Sequence, residues 1–145
     1  MKLFYAGTFD PFTIGHQNVV NRALKMGFEV VVAIGVNSEK NPSGSVADRL
    51  GAIRKVFAGV SGVQVMSYDG LTAKAAVRAG AIALLRGVRN VTDFEAEKEI
   101  AAVNKAINGI ETFMLLSEPS LEHVSSTIVR ELASYGIDTS ELIAK

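Results

Sequence analysis

The chain has 145 residues, 48% of them apolar and 21% charged, and its 15 basic and 15 acidic side chains balance. That length suits one domain, residues 1–145, around a single core, and the composition is that of a globular chain rather than a disordered one. Zero net charge argues against nucleic-acid binding through bulk charge, and the absence of cysteine excludes disulfides, Cys-zinc sites and thiol catalysis.

In chain order, short β-rich runs alternate with segments of helical period. The strand candidates are "KLFYA" (2–6), "FEVVVAIGV" (28–36), "VQVMS" (63–67), "AIALLR" (81–86) and "IETFMLL" (110–116). Helical spacing marks about 15–26, 46–58, 72–79, 93–108 and 126–135. Continuously apolar strands separated by helices predict a doubly wound, Rossmann-like α/β fold: a five-stranded parallel sheet with helices on both faces. Ser45 with Asp48, and Thr92 with Glu95, read as capping boxes. In the fourth helix Ala96, Ile100, Val103 and Ile107 form the expected buried seam. Asp93, Glu97, Ala101 and Asn104 run along a neighbouring edge, which either lines a pocket mouth or, more commonly, is a solvated flank.

The start of the chain is too short before Gly7 for a signal-peptide core, and no apolar stretch is long enough to cross a bilayer. No membrane association is expected, and the default location is cytoplasmic. His16 and His123 are the only histidines, so a multi-His metal centre is not expected.

In such a sheet, ligands bind beyond the carboxyl ends of the strands where the winding reverses. The loops that meet there follow the first and fourth strands, "GTFDPFTIGH" (7–16) and "RGVRNVTDFE" (86–95). In the first, Gly7 permits close backbone approach, Thr8 offers an N–H and a hydroxyl, and Asp10-Pro11 makes a turn. Thr13 is placed to cap a helix whose first turn holds Gly15 and His16, where free N–H groups and the helix dipole favour anions. Taken singly, a Gly-Thr step or a surface His is ordinary turn chemistry. The whole string after a first strand is not, because capping and turning do not require this imidazole.

G-x-F-D-P-x-T-x-G-H resembles the nucleotidylyltransferase superfamily, and within it the bacterial phosphopantetheine adenylyltransferases. "RGVRNVTDFEAE" (86–97), "VNKAI" (103–107) and "VSSTIVRE" (124–131) resemble further segments of that family, in order across nearly the whole chain. Ala6, Ala96 and Leu121 depart from residues common there, a Pro, a Tyr and an aromatic. The resemblance implies transfer of the adenylyl group of ATP to 4′-phosphopantetheine, by direct attack of a phosphate oxygen on the α-phosphorus. It also implies magnesium travelling with ATP, and a homohexamer.

Residue roles are implied in the same way. His16 stabilises the pentacoordinate phosphorus; Thr8 holds the attacking phosphate and, with Phe9, orients ATP. Lys40 and Arg86 are the cations for the two approaching phosphates. Gly87, Val88, Arg89 and Glu97 lie against ATP, as does the stretch Leu121, Glu122, His123, Val124, Ser125, Ser126 and Thr127. Thr72 falls on the pantetheine side. Read without the family, Lys40 is an ordinary loop lysine. Arg86, ending a buried strand, needs an acid such as Asp10 or Asp93. Arg130 either reaches the departing pyrophosphate or pairs with Glu131 or Glu122.

Two competing readings remain. One is another adenylyl- or cytidylyltransferase of the superfamily; many carry a His where this chain has Thr13. The other is a non-catalytic nucleotide-binding module, against which stands the presence of Thr8, His16, Lys40, Arg86 and Arg89 together.

Overall fold

A run such as Val30–Ile34 is apolar on both sides of a strand, so it is stable only where both faces are covered. In the computed structural model, which describes residues 1–36 and 42–145, all five of those residues are sealed from solvent. Each such buried valine or isoleucine side chain contributes about 1.5–3 kcal/mol.

Strands β1 (Lys2–Gly7), β2 (Glu29–Gly35), β3 (Val63–Tyr68), β4 (Ala81–Val88) and β5 (Glu111–Leu116) form one parallel sheet. Their order is β3-β2-β1-β4-β5. Helices α1 (Ile14–Lys25) and α2 (Val46–Val56) cover one face, packing Val20 and Ile53 onto Leu3, Val32 and Leu85. On the other face, α3 (Thr72–Arg78) and α4 (Val91–Asn108) cover Phe4, Val31 and Leu84 with small residues such as Ala73 and Ala76. The predicted strands and helices are all found, with boundaries shifted by a few residues at most. Among the described residues no helix is long and apolar enough to cross a membrane.

From β1 the chain winds outward through β2 and β3, then returns to place β4 on the other side of β1. The loops after β1 and β4 therefore diverge from adjacent strand ends and leave a crevice between them. Helix α5 (Ser126–Ser134) closes against this end: Ser126 Oγ donates to the Pro11 carbonyl (2.7 Å), and Arg130 Nη1 to the Asp10 carbonyl (2.6 Å). The final residues cross the same loop, where Ile143 bridges Thr13 and the Ala144 N–H donates to the Phe12 carbonyl.

Two expectations for α4 are corrected. Its cap is Asn90, not Thr92: the Asn90 Oδ1 accepts the Asp93 N–H at 2.8 Å, and Val91 is already helical. Its inward edge is the polar one. Glu97 and Asn104 are buried, whereas Ala96 and Val103 face outward, Ile100 is exposed beside the crevice, and Ile107 is only half-buried. The physical reason is electrostatic. Two arginines at the end of β4 need counter-ions, and the carboxylates of α4 turn toward them, carrying the apolar residues to the outside.

Candidate active site

The carboxyl ends of β1, β2, β3 and β4 open into a cleft of about 900 Å³, lined by Gly7, Gly35, Tyr68 and Gly87 among others. The loops after β1 and β4 both face it, as their sequences suggest. Thr8, Phe9, His16, Arg86, Gly87, Arg89, Glu97, Leu121, Val124, Ser125, Ser126, Thr127 and Thr72 all line it.

Some expected residues do not. Val88 is buried beside the cleft wall, with its carbonyl accepting the Ser117 N–H to complete the β4–β5 ladder. Glu122 and His123 sit in an exposed turn outside the lining. Phe9 reaches the cleft, but its ring is 5% exposed and packs edge-on to Tyr5, Phe12 and His16. Lys40 lies outside the described residues.

His16 is held by the cap of its own helix. Thr13 Oγ1 accepts the His16 N–H, and the Thr13 backbone N–H donates to His16 Nδ1 at 2.9 Å. A backbone N–H can only donate, so Nδ1 is the acceptor and the ring proton sits on Nε2. No acidic residue lies in the first turn of α1, so its N-terminal field stays available to an anion. Burial first, then Arg86 and Arg89, push the His16 pKa down to about 4. His16 is thus a neutral Nε2–H donor at neutral pH.

A pH dependence follows. Between the ordinary value of 6.5 and about 4, the unfolded chain binds a proton at this position that the folded one does not. Stability therefore falls as pH drops through that window, by up to about 3 kcal/mol. Urea unfolding at pH 7 and pH 4.5 should show the loss, and His16→Ala should remove that part of it. An imidazole resonance titrating near 6.5 in the folded protein would contradict the assignment.

The cationic wall is balanced by α4. Glu97 takes both Arg86 Nε (2.8 Å) and Nη2 (2.7 Å), while Arg86 Nη1 donates to the Ala6 carbonyl. Burial works against the Arg86 charge, but the bonds and charge of Glu97 outweigh it and raise its pKa. Arg86 thus pairs with neither Asp10 nor Asp93. Asp93 instead accepts from Arg89 Nε (2.9 Å) and the Arg89 N–H (3.0 Å). Asp10 accepts from the Ser43 N–H and hydroxyl. Arg130 bonds the Asp10 carbonyl and Thr127 Oγ1, not Glu131 or Glu122.

At Ser125 the hydroxyl caps α5 by accepting the Ile128 N–H at 3.1 Å, so this segment presents a second helix start to the cleft. On the α3 side, Tyr68 and Thr72 share a hydrogen bond of 2.8 Å. Asn104 lines the cleft with Asp93, Glu97 and Ala101, the pocket-mouth alternative for that edge of α4, whereas Thr112, whose Oγ1 is sealed with no hydrogen-bond partner among the described residues, carried little signal in the sequence. Nothing in a lone strand threonine marks it as a cleft residue. A side chain would be crowded at two glycines of the cleft. A Cβ on Gly7 would stand 2.9 Å from the Phe9 ring, and one on Gly87 would stand 3.1 Å from Val19 Cγ2.

A cleft beyond the carboxyl ends of a parallel sheet, lined by His16, Arg86, Arg89 and two helix starts, is the arrangement of a nucleotide-binding α/β protein. Residues 4–132 match the cytidylyltransferase-like family model. Phosphopantetheine adenylyltransferase of Bacteroides thetaiotaomicron is 46% identical over 98% of this chain and 94% of its own length. The protein of that name from Flavobacterium psychrophilum is 42% identical over 98% of this chain and 94% of its own. The chain belongs to the phosphopantetheine adenylyltransferase family. A crystal structure of a bifunctional NMN adenylyltransferase/ADP ribose pyrophosphatase from Francisella tularensis shares the fold, with a TM-score of 0.71 at 16% identity. That match covers 99% of this chain and 45% of the other.

Proposed function

We propose that the chain transfers the adenylyl group of ATP to 4′-phosphopantetheine, forming 3′-dephospho-coenzyme A and releasing pyrophosphate, a step of coenzyme A biosynthesis. The observation that carries this reading is the neutral imidazole of His16, tautomer-locked by Thr13, in the same cleft as Arg86 and Arg89.

A phosphate oxygen of the acceptor attacks the α-phosphorus of ATP in line, and the P–O bond to pyrophosphate breaks on the opposite side. His16 Nε2–H donates to a non-bridging α-phosphate oxygen as negative charge accumulates there. Thr8 and Arg86 hold the attacking phosphate, with Lys40 as the second cation. Gly87, Arg89 and the Ser125–Thr127 helix start hold the nucleotide. Catalysis is positioning and charge stabilisation, with no covalent protein intermediate. Asp10, Asp93 and Glu97 are each committed to Ser43, Arg89 and Arg86, so magnesium enters as part of the MgATP substrate. Pyrophosphate release with ATP plus phosphopantetheine tests the reading. Turnover with a different phosphorylated acceptor alone would point to another nucleotidyltransferase activity, and ATP binding without turnover to a binding module.

The enzyme acts in the cytoplasm as a homohexamer. Support for assembly comes from α4, where Ala96 and Val103 (61% exposed), two turns apart, are exposed on its outer face. A second copy of this chain would cover them. Val103→Glu is expected to reduce the oligomer to smaller species in sedimentation velocity; an unchanged sedimentation coefficient would remove this face from the interface.

A further inference from the structure

Arg49, on α2, has no role in the scheme above and does not line the cleft. It is nevertheless only 8% exposed, and its guanidinium spans two loops. Nη1 donates to the Thr8 carbonyl at 2.6 Å and Nε to the Gly44 carbonyl at 3.1 Å. Among the described residues no carboxylate lies within ion-pair reach of it.

The next residue is strained. Phe9 has φ of 50°, the left-handed region that an aromatic residue avoids. Such a conformation costs on the order of 1–2 kcal/mol and persists only where surrounding contacts over-determine it. Two sets of contacts do so. The Phe9 ring is caged by Tyr5, Phe12 and His16, and the Thr8 carbonyl is held by Arg49. In a planar trans peptide the C=O and the following N–H point in opposite directions. The Thr8 carbonyl points to Arg49, outside the cleft, so the Phe9 N–H points the other way, toward the cleft that Thr8 and Phe9 line.

We infer that Arg49 is a positioning residue: by holding the Thr8 carbonyl it keeps the Thr8–Phe9 peptide turned so that the Phe9 N–H is presented to a phosphate of the bound nucleotide. The inference rests on the reading of the cleft as a nucleotide-phosphate site. Asp10, bonded to Ser43, ties the same two loops independently, so losing Arg49 should turn the peptide without detaching the loop.

The test uses the 15N-labelled full chain titrated with inorganic pyrophosphate. In wild type the Phe9 amide resonance and the His16 ring resonances should both shift on saturation. Arg49→Met keeps the apolar stem but not the fork. Loss of one charge-assisted bond's alignment should weaken pyrophosphate about tenfold, abolish the Phe9 amide response and lower kcat/KM for ATP. Arg49→Lys, with the charge but a single donor head, should recover thermal stability more than affinity. If His16 responds but the Phe9 amide of wild type does not, the inference fails while the functional reading stands. If neither responds, both fail. Wild-type pyrophosphate affinity in Arg49→Met also overturns the inference. The wild-type titration decides the matter even if the methionine variant does not fold.

Discussion

Replacing His16 with alanine should leave ATP affinity nearly unchanged and lower kcat by on the order of 10²–10³, the scale for one donor acting mainly in the transition state. The reasoning starts from the tautomer. Because Nδ1 is occupied by the Thr13 N–H, the ring offers one donor, Nε2–H, without requiring a protonation event. In the proposed reaction the helix start and the two arginines would already attract the ground-state phosphates, so the imidazole would add most where charge is still growing. Isothermal titration of ATP beside steady-state turnover separates the two effects. Wild-type turnover in the variant would exclude His16 from the chemistry; a large loss of ATP affinity with kcat intact would make it a binding residue. The pH profile adds a further check. An imidazole with a pKa of about 4 should leave kcat without an inflection near 6.5.

For Arg86→Ala, kcat/KM for phosphopantetheine should fall by about 10²–10³, because truncating one partner of a half-buried charge pair removes an attraction and strands the other charge. Glu97 would be that stranded charge. Its side chain is 12% exposed, and both of its oxygens are engaged by Arg86. A lone carboxylate in that wall would repel the incoming phosphate. The double variant Arg86→Ala/Glu97→Ala should therefore be less impaired in stability than the sum of the single changes, with a coupling of about 0.5–3 kcal/mol. Additive single effects would show that the pair does not act as a unit, and an unchanged KM for phosphopantetheine in Arg86→Ala would remove that cation from the acceptor site.

The distinction between the two faces of α4 shows where sequence reading reached its limit. Periodicity selected Ala96, Ile100, Val103 and Ile107 as the seam because apolar spacing is the usual mark of burial. In the folded chain the polar edge of Glu97 and Asn104 is inside. Helical period identifies a stripe, but the partner that covers it is not encoded locally. A counter-ion for Arg86 eleven residues away decided the orientation. The cap at Asn90 was missed for a smaller reason: Asn90 and Asp93 stand three apart just as Thr92 and Glu95 do, and that spacing alone does not choose between them.

What the linear order of residues determined by itself was the alternation of strand and helix, the switch point and the turn-and-cap loop after β1, since each depends on local spacing: apolar runs, caps and glycines at turns. Thr13, Gly15 and His16 lie within one helical turn, so their relation is local too. Only the tertiary structure decided which charges meet. Arg86 with Glu97, Asp10 with Ser43 and Arg49 with the Thr8 carbonyl are matters of side-chain reach across packed elements. Ion-pair choice depends on distance and burial in three dimensions, and neither quantity is present in a sequence until the sheet has placed the strand ends side by side.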